Sequence, residues 1–364
     1  MRVLKFAAAA ALTLAAVAGR ATAQDVAEGQ WINLFDGETT FGWTQFGDVK
    51  WAAKDGALHA DEGSGGWLAT NAQFQDFELE AKVSLDSGSA GLVVRGALEG
   101  HPSENGSGVI TLTSGDNQEV KVVAKGGEVT ATVNGKAVEG FSTKNPRGHI
   151  GIQYHHRHGA KEPYKLTVHS IKLRPLALTS LFNGKDLNGW NIIPGHKSEF
   201  SVKEGALNIR NGNGQIETAG TFQNFTLQLD VFSNGEHLNS GVFFRTPVGV
   251  FWKGYESQVR NHWEGDDRTK PVDFGTGGNY GNQPARKVVS SDKEWFTKTI
   301  VVDGNHASVW VNGYLVSDYY DERPASSEYD GKSGYVSAPG TINLQGHDPT
   351  TDLSFKNINI QPYK

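Results

Sequence analysis

Alternating apolar and polar positions dominate the chain and predict short, half-buried β-strands. Every second residue is apolar in Phe225–Val231, and Phe77–Val83 shows the same alternation. Successive side chains of a strand point to opposite faces, so a period of two gives each strand one buried face. Asn312-Gly313 lies between two apolar runs and suits the type I′ turn of a hairpin. No long segment has a helical period, and we therefore expect an all-β protein.

The same strand pattern occurs twice, in the same order. Short motifs of the first half recur in the second half at offsets that change little at first, which predicts an internal duplication. The paired motifs are Leu34–Gly37 with Leu181–Gly184, Gly42-Trp43 with Gly189-Trp190, Ser89–Arg95 with Asn239–Arg245, Val133–Gly135 with Val311–Gly313, and Gly151–Gln153 with Asn343–Gln345.

We therefore expect two antiparallel sandwich domains in tandem, 31–175 and 179–364. Leu176–Leu178 joins them without a flexible linker, which favours a fixed relative orientation. The offset between the copies grows by 28 residues, and the extra residues fall within 246–306. Long loops on a rigid β-scaffold commonly carry function. This insertion is therefore the first place to search for a site.

The N-terminal segment predicts a secretory signal peptide over residues 1–23. Arg2 and Lys5 precede an apolar run over Phe6–Val17, and Ala21-Thr22-Ala23 is a small-x-small cleavage site. The apolar run is too short to span a bilayer comfortably. We expect export to the periplasm or the extracellular space, with no membrane attachment after cleavage.

Charge and cysteine content exclude several classes of function. Removing the leader, with its three basic residues, changes the formal net charge from −6 to −9. Such an acidic protein is poorly suited to bind nucleic acid or an anionic membrane. The chain has no Cys, which excludes disulfides, thiolate metal sites and a cysteine nucleophile. Its stability must come from its apolar core.

The strand Gly254–Val259 holds the most informative polar pattern. Glu256 and Gln258 lie on one face of the predicted strand, whereas Tyr255 and Val259 lie on the other. Amides, carboxylates and aromatic rings suit a carbohydrate, because amides and carboxylates bond hydroxyls and rings stack on apolar sugar faces. Gln228, Asp230 and Arg245 of neighbouring strands are expected on the same side, with Trp252 or Trp263 as the stacking ring. A solvated face of paired charges is the alternative.

The first copy serves as an internal control for that strand. Gly108–Thr113 is expected to occupy the equivalent position, with Ile110 in place of Glu256 and Leu112 in place of Gln258. In this register the first copy keeps the scaffold but has no acid or base. We therefore place the chemistry in the second copy.

The histidines allow more than one interpretation. His156 and His158 share a strand face and suit either a weak transition-metal site or a solvated hairpin, and the hairpin is favoured. His262 and His347 lie in loops near the predicted site, where each could act as an acid or base or help to hold a metal ion. No phosphate-binding motif is present. No cofactor is certain, and a divalent metal ion stays open.

Several motifs together resemble the 3-keto-disaccharide hydrolase domain family. The resemblance covers the whole second domain and implies a concanavalin-like jelly-roll sandwich; the first domain resembles a degenerate member. The motifs are Leu181–Trp190, Asn239–Arg245, Gly254–Val259, Thr276–Gly281, Val311–Gly313, Leu344–His347 and Phe355–Ile360.

The resemblance implies cleavage of glycosides whose C3 hydroxyl has been oxidised to a ketone. The ketone acidifies the C2 proton, so that the C1 substituent leaves after deprotonation and water adds to the enone. Glu256 is the expected acid/base. His262 and Asp266 are further catalytic candidates, and Arg245 or a metal ion would face the enolate oxygen. The remaining residues expected to bind the sugar are Gln258, Trp263, Tyr280, Gln345 and His347.

One position departs from the family pattern, and two other functions stay open. Many relatives carry Asp where this chain has Asn261. If that Asp supplies charge or a metal ligand, either Asp266 or His262 must substitute for it or the activity is altered. An ordinary glycosidase would need two carboxylates about 5–10 Å apart, such as Glu256 with Glu264 or Asp266. A non-catalytic carbohydrate-binding protein is the third reading, because a sandwich fold alone does not specify catalysis.

Overall fold

The computed structural model describes residues 25–155 and 164–364. The predicted leader, His156 and His158 lie outside these residues. The described chain forms β-strands without any α-helix, so it also offers no helix long and apolar enough to cross a membrane. The prediction of an all-β protein is confirmed.

The first half of the chain builds one sandwich from eleven strands that follow the short N-terminal strand β1, and the last of them, β12, continues into the second half. The strands are β1 (Asp25–Glu28), β2 (Ile32–Asn33), β3 (Trp43–Gly47), β4 (Trp51–Lys54), β5 (Ala57–Ala60), β6 (Gly66–Phe74), β7 (Phe77–Gly96), β8 (Gly108–Lys125), β9 (Glu128–Val133), β10 (Lys136–Ala137), β11 (Gly148–Tyr154) and β12 (Leu166–Ser180).

Two long strands of the first domain contribute to both layers. The part of β7 that ends at Leu85 pairs with β12, and the part that begins at Ala90 pairs with β11. One layer therefore has the order β4-β5-β12-β7-β8-β9-β10, and the other has the order β3-β6-β11-β7-β8. Phe77, Leu92 and Ile152 are among the buried side chains between the layers.

The second half builds a second sandwich. Its strands are β13 (Trp190–Ile192), β14 (Glu199–Lys203), β15 (Ala206–Arg210), β16 (Gly214–Thr218), β17 (Phe225–Ser233), β18 (Ser240–Thr246), β19 (Tyr255–Val259), β20 (Trp295–Asp303), β21 (His306–Val311), β22 (Tyr314–Tyr320), β23 (Thr341–Gly346) and β24 (Asp352–Pro362).

The second sandwich has a seven-stranded and a five-stranded layer. The larger layer has the order β14-β15-β24-β17-β20-β21-β22, and the smaller has the order β13-β16-β23-β18-β19. Apolar side chains such as Phe225, Val231 and Phe244 fill the space between them. The smaller layer corresponds strand by strand to β3-β6-β11-β7-β8 of the first domain. The prediction of two tandem β-sandwiches is confirmed.

Turn residues behave as their chemistry requires. Asn312 and Gly313 both have positive φ angles, 49° and 78°, which a type I′ turn needs and which Asn and Gly tolerate. Asn134 and Gly135 repeat this geometry in the first domain, with φ angles of 50° and 76°. The predicted hairpins β21–β22 and β9–β10 are therefore present in both copies.

The two domains share a strand and part of a core. Strand β12 passes from the first sandwich into pairing with β24 of the second, and it includes the predicted linker Leu176–Leu178. Trp310 and Leu315 of the second domain pack in the core cluster of the first, and Trp310 Nε1 donates to the carbonyl of Asn33 at 3.0 Å. Asp36 and Arg286 form an ion pair across the same interface.

The insertion lies against the free edge of β19. The amide of Gln258 donates to the carbonyl of Gly278, and the amide of Tyr280 donates to the carbonyl of Glu256, at 2.8 and 2.9 Å. An uncovered edge strand exposes unpaired backbone groups, and the segment around Gly278–Tyr280 satisfies them on this strand. The extra residues therefore form one wall beside the strand that carries Glu256.

One predicted placement is wrong. Gln228 and Asp230 were expected beside Glu256, but their strand, β17, belongs to the seven-stranded layer. The amide of Gln228 donates to Gln30 and Thr299, and Asp230 accepts from Thr297 and Asn357. Alternation correctly gave the face of each strand but could not assign the strand to a layer.

Candidate functional site

The five-stranded layer of the second domain has one apolar and one polar face. Val242, Leu344 and Ile216 point into the core, whereas the alternate residues point away from it. Six buried polar side chains, each at most 6% exposed, make up what we call the polar face: Gln215, Glu217, Asn343, Gln345, Glu256 and Gln258.

Strand register places these side chains in two rows across the layer. In one row Glu217 lies opposite Asn343, and Phe243 lies between Asn343 and Glu256. In the other row Gln215 lies opposite Gln345, while Gln258 lies opposite Gly241. Three strands of the layer, β16, β19 and β23, therefore bring together residues from three separate parts of the sequence.

Glu256 occupies space that only a glycine leaves open. Gly241 lies on the neighbouring strand, and a Cβ atom there would collide with Oε1 of Glu256. The motif Asn239–Arg245 thus contributes to the site by the absence of a side chain. Glycine is needed at position 241 because of this packing, and not because of an unusual backbone conformation.

Burial makes Glu256 an unusual carboxyl group. Desolvation raises its pKa to about 8, with a smaller contribution in the same direction from Asp273. Lys332, Lys298 and a hydrogen bond from Trp252 oppose that increase. A carboxyl group that titrates near neutral pH can both accept and return a proton, as general acid/base chemistry requires.

Lys332, Trp252 and Tyr280 surround this carboxyl group. The ammonium group of Lys332 lies 4.7 Å from the ring centre of Trp252 and 5.5 Å from that of Tyr280. Burial raises the pKa of Tyr280, and the nearby negative charges of Asp273 and Glu256 add to this. Trp252 is 41% exposed, so the cluster has an indole surface open to solvent beside a buried acid.

The second carboxylate of the polar face has a different task. Both oxygens of Glu217 accept from the amide of Gly249, at 3.1 and 3.0 Å. Oε1 of Gln215 accepts from the amide of Trp252 at 2.8 Å. These two side chains hold the β18–β19 loop over the layer and thereby fix the position of Trp252.

Three buried polar atoms of this face lack a protein partner among the described residues. They are Nε2 of Gln215, Nδ2 of Asn343 and Oε1 of Gln345. Buried polar groups are nearly always hydrogen-bonded, so unpaired ones indicate a bound molecule or ordered water. Two donors and one acceptor facing the same space fit the hydroxyl and carbonyl oxygens of a sugar.

Gln258 is held by the insertion. Its Nε2 donates to the carbonyl and to Oδ2 of Asp273, at 3.0 and 3.3 Å. The same Oδ2 accepts from Arg260 at 2.9 Å and from Asn239 at 3.0 Å. Asp273 therefore ties the insertion to β18 and β19, and Gln258 is one of its anchors.

The structure does not bring Arg245 to the polar face. A bulge in β18 gives Arg245 a φ of 53° and turns its side chain into protein. The guanidinium group donates to the carbonyls of Gln223, Val336 and Gly304 and to Oδ1 of Asn224. With four hydrogen bonds to surrounding loops, Arg245 is placed to hold these loops together.

Arg95 of the first domain shows the same arrangement. It has a φ of 49° and donates to the carbonyls of Gln75, Gly126 and Asn145. The repeat of Arg in both copies therefore reflects the shared scaffold. A motif found in both domains carried less information about chemistry than a motif found in one.

The loop after β19 lies apart from the Glu256 cluster. The ring of His262 stacks on His237 at 4.1 Å, and Asp266 is exposed. Trp263 packs against the guanidinium group of Arg268 at 4.1 Å. His262, Trp263 and Asp266 are therefore, like Arg245, not brought to the polar face.

Asn261 is the centre of a buried hydrogen-bond network. Its Oδ1 accepts from Thr276 and Ser290, and its Nδ2 donates to Asp292 at 3.0 Å. An Asp at this position would place a carboxylate against Asp292. Asn261 therefore suits its neighbour Asp292, because an amide can donate to that carboxylate whereas a second carboxylate would repel it.

His347 and Gln345 lie at one end of β23. Gln345 belongs to the polar face, whereas His347 follows the strand and bonds Asp348 through Nδ1 at 3.0 Å. No three His, Asp or Glu side chains of the described chain come together as a metal site. The residues that the structure unites are thus Glu256, Gln258, Tyr280 and Gln345, with His347 at the rim.

The first domain lacks the two carboxylates of this face, although not in the predicted register, and keeps Gln153 where the second domain has Gln345. Gly91 and Val93 correspond to Gly241 and Phe243, and their partners are Thr111 and Val109. Val109 therefore replaces Glu256, and Thr111 replaces Gln258. The predicted equivalence of Ile110 and Leu112 is wrong by one residue, which exchanges the two faces of a strand.

Apolar side chains fill the same place in the first domain. Trp67 stands where the second domain has Gln215, and its ring stacks on Phe46 at 5.3 Å and lies over Gly151. Trp67, Ala69 and Val93 form a buried cluster there. The first copy therefore has no acid on this face, as predicted.

Comparisons with known proteins agree with the duplication. The family model described as the 3-keto-alpha-glucoside-1,2-lyase-like domain matches residues 30–117 and 177–361. No curated protein matches the chain. A solved "putative glycosyl hydrolase" from Parabacteroides distasonis ATCC 8503 is 23% identical, covers 51% of this chain and 94% of its own, and has a TM-score of 0.42.

A carbohydrate-binding module of Bacillus subtilis, CBM66, is also similar. It is 14% identical, with 50% of this chain and 99% of the module covered and a TM-score of 0.36. A galectin-like protein from the same organism is 13% identical, with coverages of 48% and 90% and a TM-score of 0.36.

Proposed function

Because the chain belongs to the 3-keto-alpha-glucoside-1,2-lyase-like domain family, we propose that its second domain cleaves the glycosidic bond of 3-keto-glycosides. The observation that carries the proposal is Glu256, a buried carboxyl group without an ion-pair partner in the described chain, on a face with unpaired amides. Burying such a group lowers the stability of the fold, so its presence favours a functional role. The first copy lacks it.

In the proposed reaction, Glu256 removes the C2 proton next to the C3 ketone. The electrons of the C2–H bond form an enolate, the C1–O bond breaks, and the leaving oxygen takes a proton from an acid. Water then adds its oxygen to C1 and returns a proton to C2. Glu256 can serve both directions of proton transfer because its pKa lies near neutral pH, at about 8.

Lys332 takes the role that the sequence assigned to Arg245. Its ammonium group acts on the charge of Glu256 and lies between Trp252 and Tyr280, where it would stabilise negative charge on the enolate oxygen. Tyr280 keeps its proton because its pKa is raised. It is the proposed donor to the leaving oxygen.

The remaining groups of the polar face would hold the sugar. The unpaired amides of Gln215, Asn343 and Gln345 can bond hydroxyl and carbonyl oxygens, and Trp252 offers a ring for an apolar sugar face. We further propose export, which rests on the leader-like N-terminal segment. The acidic net charge of the chain argues against an anionic ligand such as nucleic acid.

An ordinary two-carboxylate glycosidase fits the geometry less well. Glu217 is the other acid of the polar face, but three strand spacings separate it from Glu256, about 14 Å between backbones. Its oxygens are already bonded to Gly249. Retaining and inverting enzymes use carboxyl groups about 5–10 Å apart.

Assaying the purified protein on a 3-keto-disaccharide and on its unoxidised parent tests the proposal. We expect cleavage of the keto sugar alone, and loss of that cleavage in Glu256→Gln. Cleavage of the parent would indicate an ordinary glycosidase. Binding of either sugar without cleavage would indicate a carbohydrate-binding protein.

A further inference from the structure

Lys298 is a buried lysine that the proposed reaction does not use. It lies on β20 of the seven-stranded layer, is 0% exposed, and extends through the core to the opposite layer. There its Nζ donates to the carbonyls of Ser257 and Gln258, each at 2.9 Å. These carbonyls belong to the strand that carries Glu256. Within residues 25–155 and 164–364, no carboxylate forms an ion pair with it.

A lysine in this position is unfavourable for stability alone. Taking an ammonium group out of water is strongly unfavourable, even after the surrounding protein has relaxed. Burial lowers the pKa of Lys298 to about 7, and the negative charge of Glu256 acts in the opposite direction. An aliphatic side chain would fill the same core position without this cost.

The first domain shows that the scaffold does not need the lysine. Lys298 lies opposite Leu229 on β17, and the corresponding pair in the first domain is Val120 with Ala81. Val120 is 0% exposed and packs in the core. The copy with an apolar residue here also has Val109 in place of Glu256. The buried acid and the buried lysine are present together and absent together.

We propose that Lys298 is a positioning residue that fixes the backbone of β19 and supplies positive charge behind the carboxyl group of Glu256. The catalytic part of this inference rests on the proposed function, because it assumes that Glu256 is the acid/base. The contact between Lys298 and the backbone of β19 is independent of that function. A charge behind the strand favours the carboxylate form, which the reaction needs in order to remove the C2 proton. It does so without occupying the space of the sugar.

Other groups also act on Glu256 and must be kept constant in a test. Lys332 approaches from the 320–340 segment, Asp273 and Tyr280 from the insertion, and Trp252 from the β18–β19 loop. Lys298 is the one among them that reaches the strand from the opposite layer. Its removal therefore leaves the sugar-facing groups in place.

Titration of Glu256 by NMR tests the inference without substrate. Protein labelled with ¹³Cδ-glutamate gives the titration midpoint of Glu256, assigned by the signal that Glu256→Gln lacks. We expect Lys298→Met to raise this midpoint, because the substitution removes a positive charge that favours the carboxylate form of Glu256. Ile300→Val, a change at the next inward-facing position of β20, should leave it unchanged.

An unchanged midpoint in folded Lys298→Met would overturn the inference. If that variant does not fold, the reciprocal experiment uses Glu256→Gln: the ¹⁵Nζ midpoint of Lys298 should fall, because linkage is mutual, and a constant value would overturn the inference equally.

The pH profile of kcat/KM separates this inference from the proposed function. If Glu256 is the acid/base, the limb of the profile that reports its ionisation should move with the NMR midpoint in Lys298→Met. An NMR change without movement of that limb would refute the catalytic role of Glu256 and leave the coupling of the two charges supported.

Discussion

Replacing Glu256 by Gln should change how stability depends on pH, with a sign that the structure fixes. Burial raises the pKa of Glu256 from 4.5 to about 8, so the folded protein keeps a proton in this window that the unfolded chain releases. The folded state binds more protons there, and the contribution of Glu256 to stability therefore falls as the pH rises from 4.5 toward 8. The glutamine side chain has no proton to lose.

The expected size follows from that pKa difference. Inside the window each pH unit changes the free energy of unfolding by about 1.4 kcal/mol. Between pH 5 and pH 7, Glu256 should lower the stability of the wild type by about 2–3 kcal/mol relative to the variant. Lys298 has its pKa lowered to about 7 and contributes with the opposite sign above that value, so the comparison ends at pH 7.

Urea unfolding of both proteins at the two pH values measures this difference. The constant effect of the amide cancels, because each protein is compared with itself. The wild type should lose stability relative to Glu256→Gln on going to pH 7. Equal changes in the two proteins would refute the description of Glu256 as a desolvated carboxyl group, even if the variant were inactive.

Three further substitutions test individual contacts. Gly241→Ala should lower kcat/KM for a keto-glycoside and cost about 1–3 kcal/mol of stability, because its methyl group meets the Glu256 carboxylate; normal activity would contradict this packing. Arg245→Met should destabilise the fold by about 1–3 kcal/mol or more in urea unfolding, because buried carbonyl oxygens lose their donors, and an increase in KM without loss of stability would instead indicate contact with the sugar. Asn261→Asp should destabilise more at pH 7 than at pH 4, by about 1–3 kcal/mol, because the new carboxylate faces Asp292; equal losses would exclude charge repulsion as the cause.

The sequence predicted the fold well because the fold depends on local patterns. Alternation gave the strands, Asn-Gly pairs gave the hairpins, and the repeat gave two copies of one sandwich. The face of Glu256 and Gln258 was predictable for the same reason. The layer to which each strand belongs was not predictable, because it depends on pairing between strands that are distant in sequence. Gln228 and Asp230 were placed in the wrong layer for this reason.

The site was only partly predictable, because its members come from strands far apart in sequence. Gln215 and Glu217 alternate with Ile216 on β16, a signal that was available but indistinguishable from a solvated edge. Lys332 stands in an irregular segment and has no local pattern at all. Arg245 looked functional because a guanidinium group suits an enolate, yet a bulge in β18 turns it into the protein. Alternation cannot foresee a bulge.

The two copies together suggest why the polar face exists in only one of them. Each buried polar group without a partner costs about 1–3 kcal/mol, and the second domain carries several of them beside Glu256 and Lys298. The first domain has the apolar residues Trp67, Val109 and Val120 at corresponding positions, and Trp67 and Val120 are buried. It also shares its core with Trp310 and Leu315 of the second domain. The apolar core of the first domain extends across the interface and thereby stabilises the second domain, whose buried polar groups lower its own stability. The two copies of one fold thus divide stability and function between them.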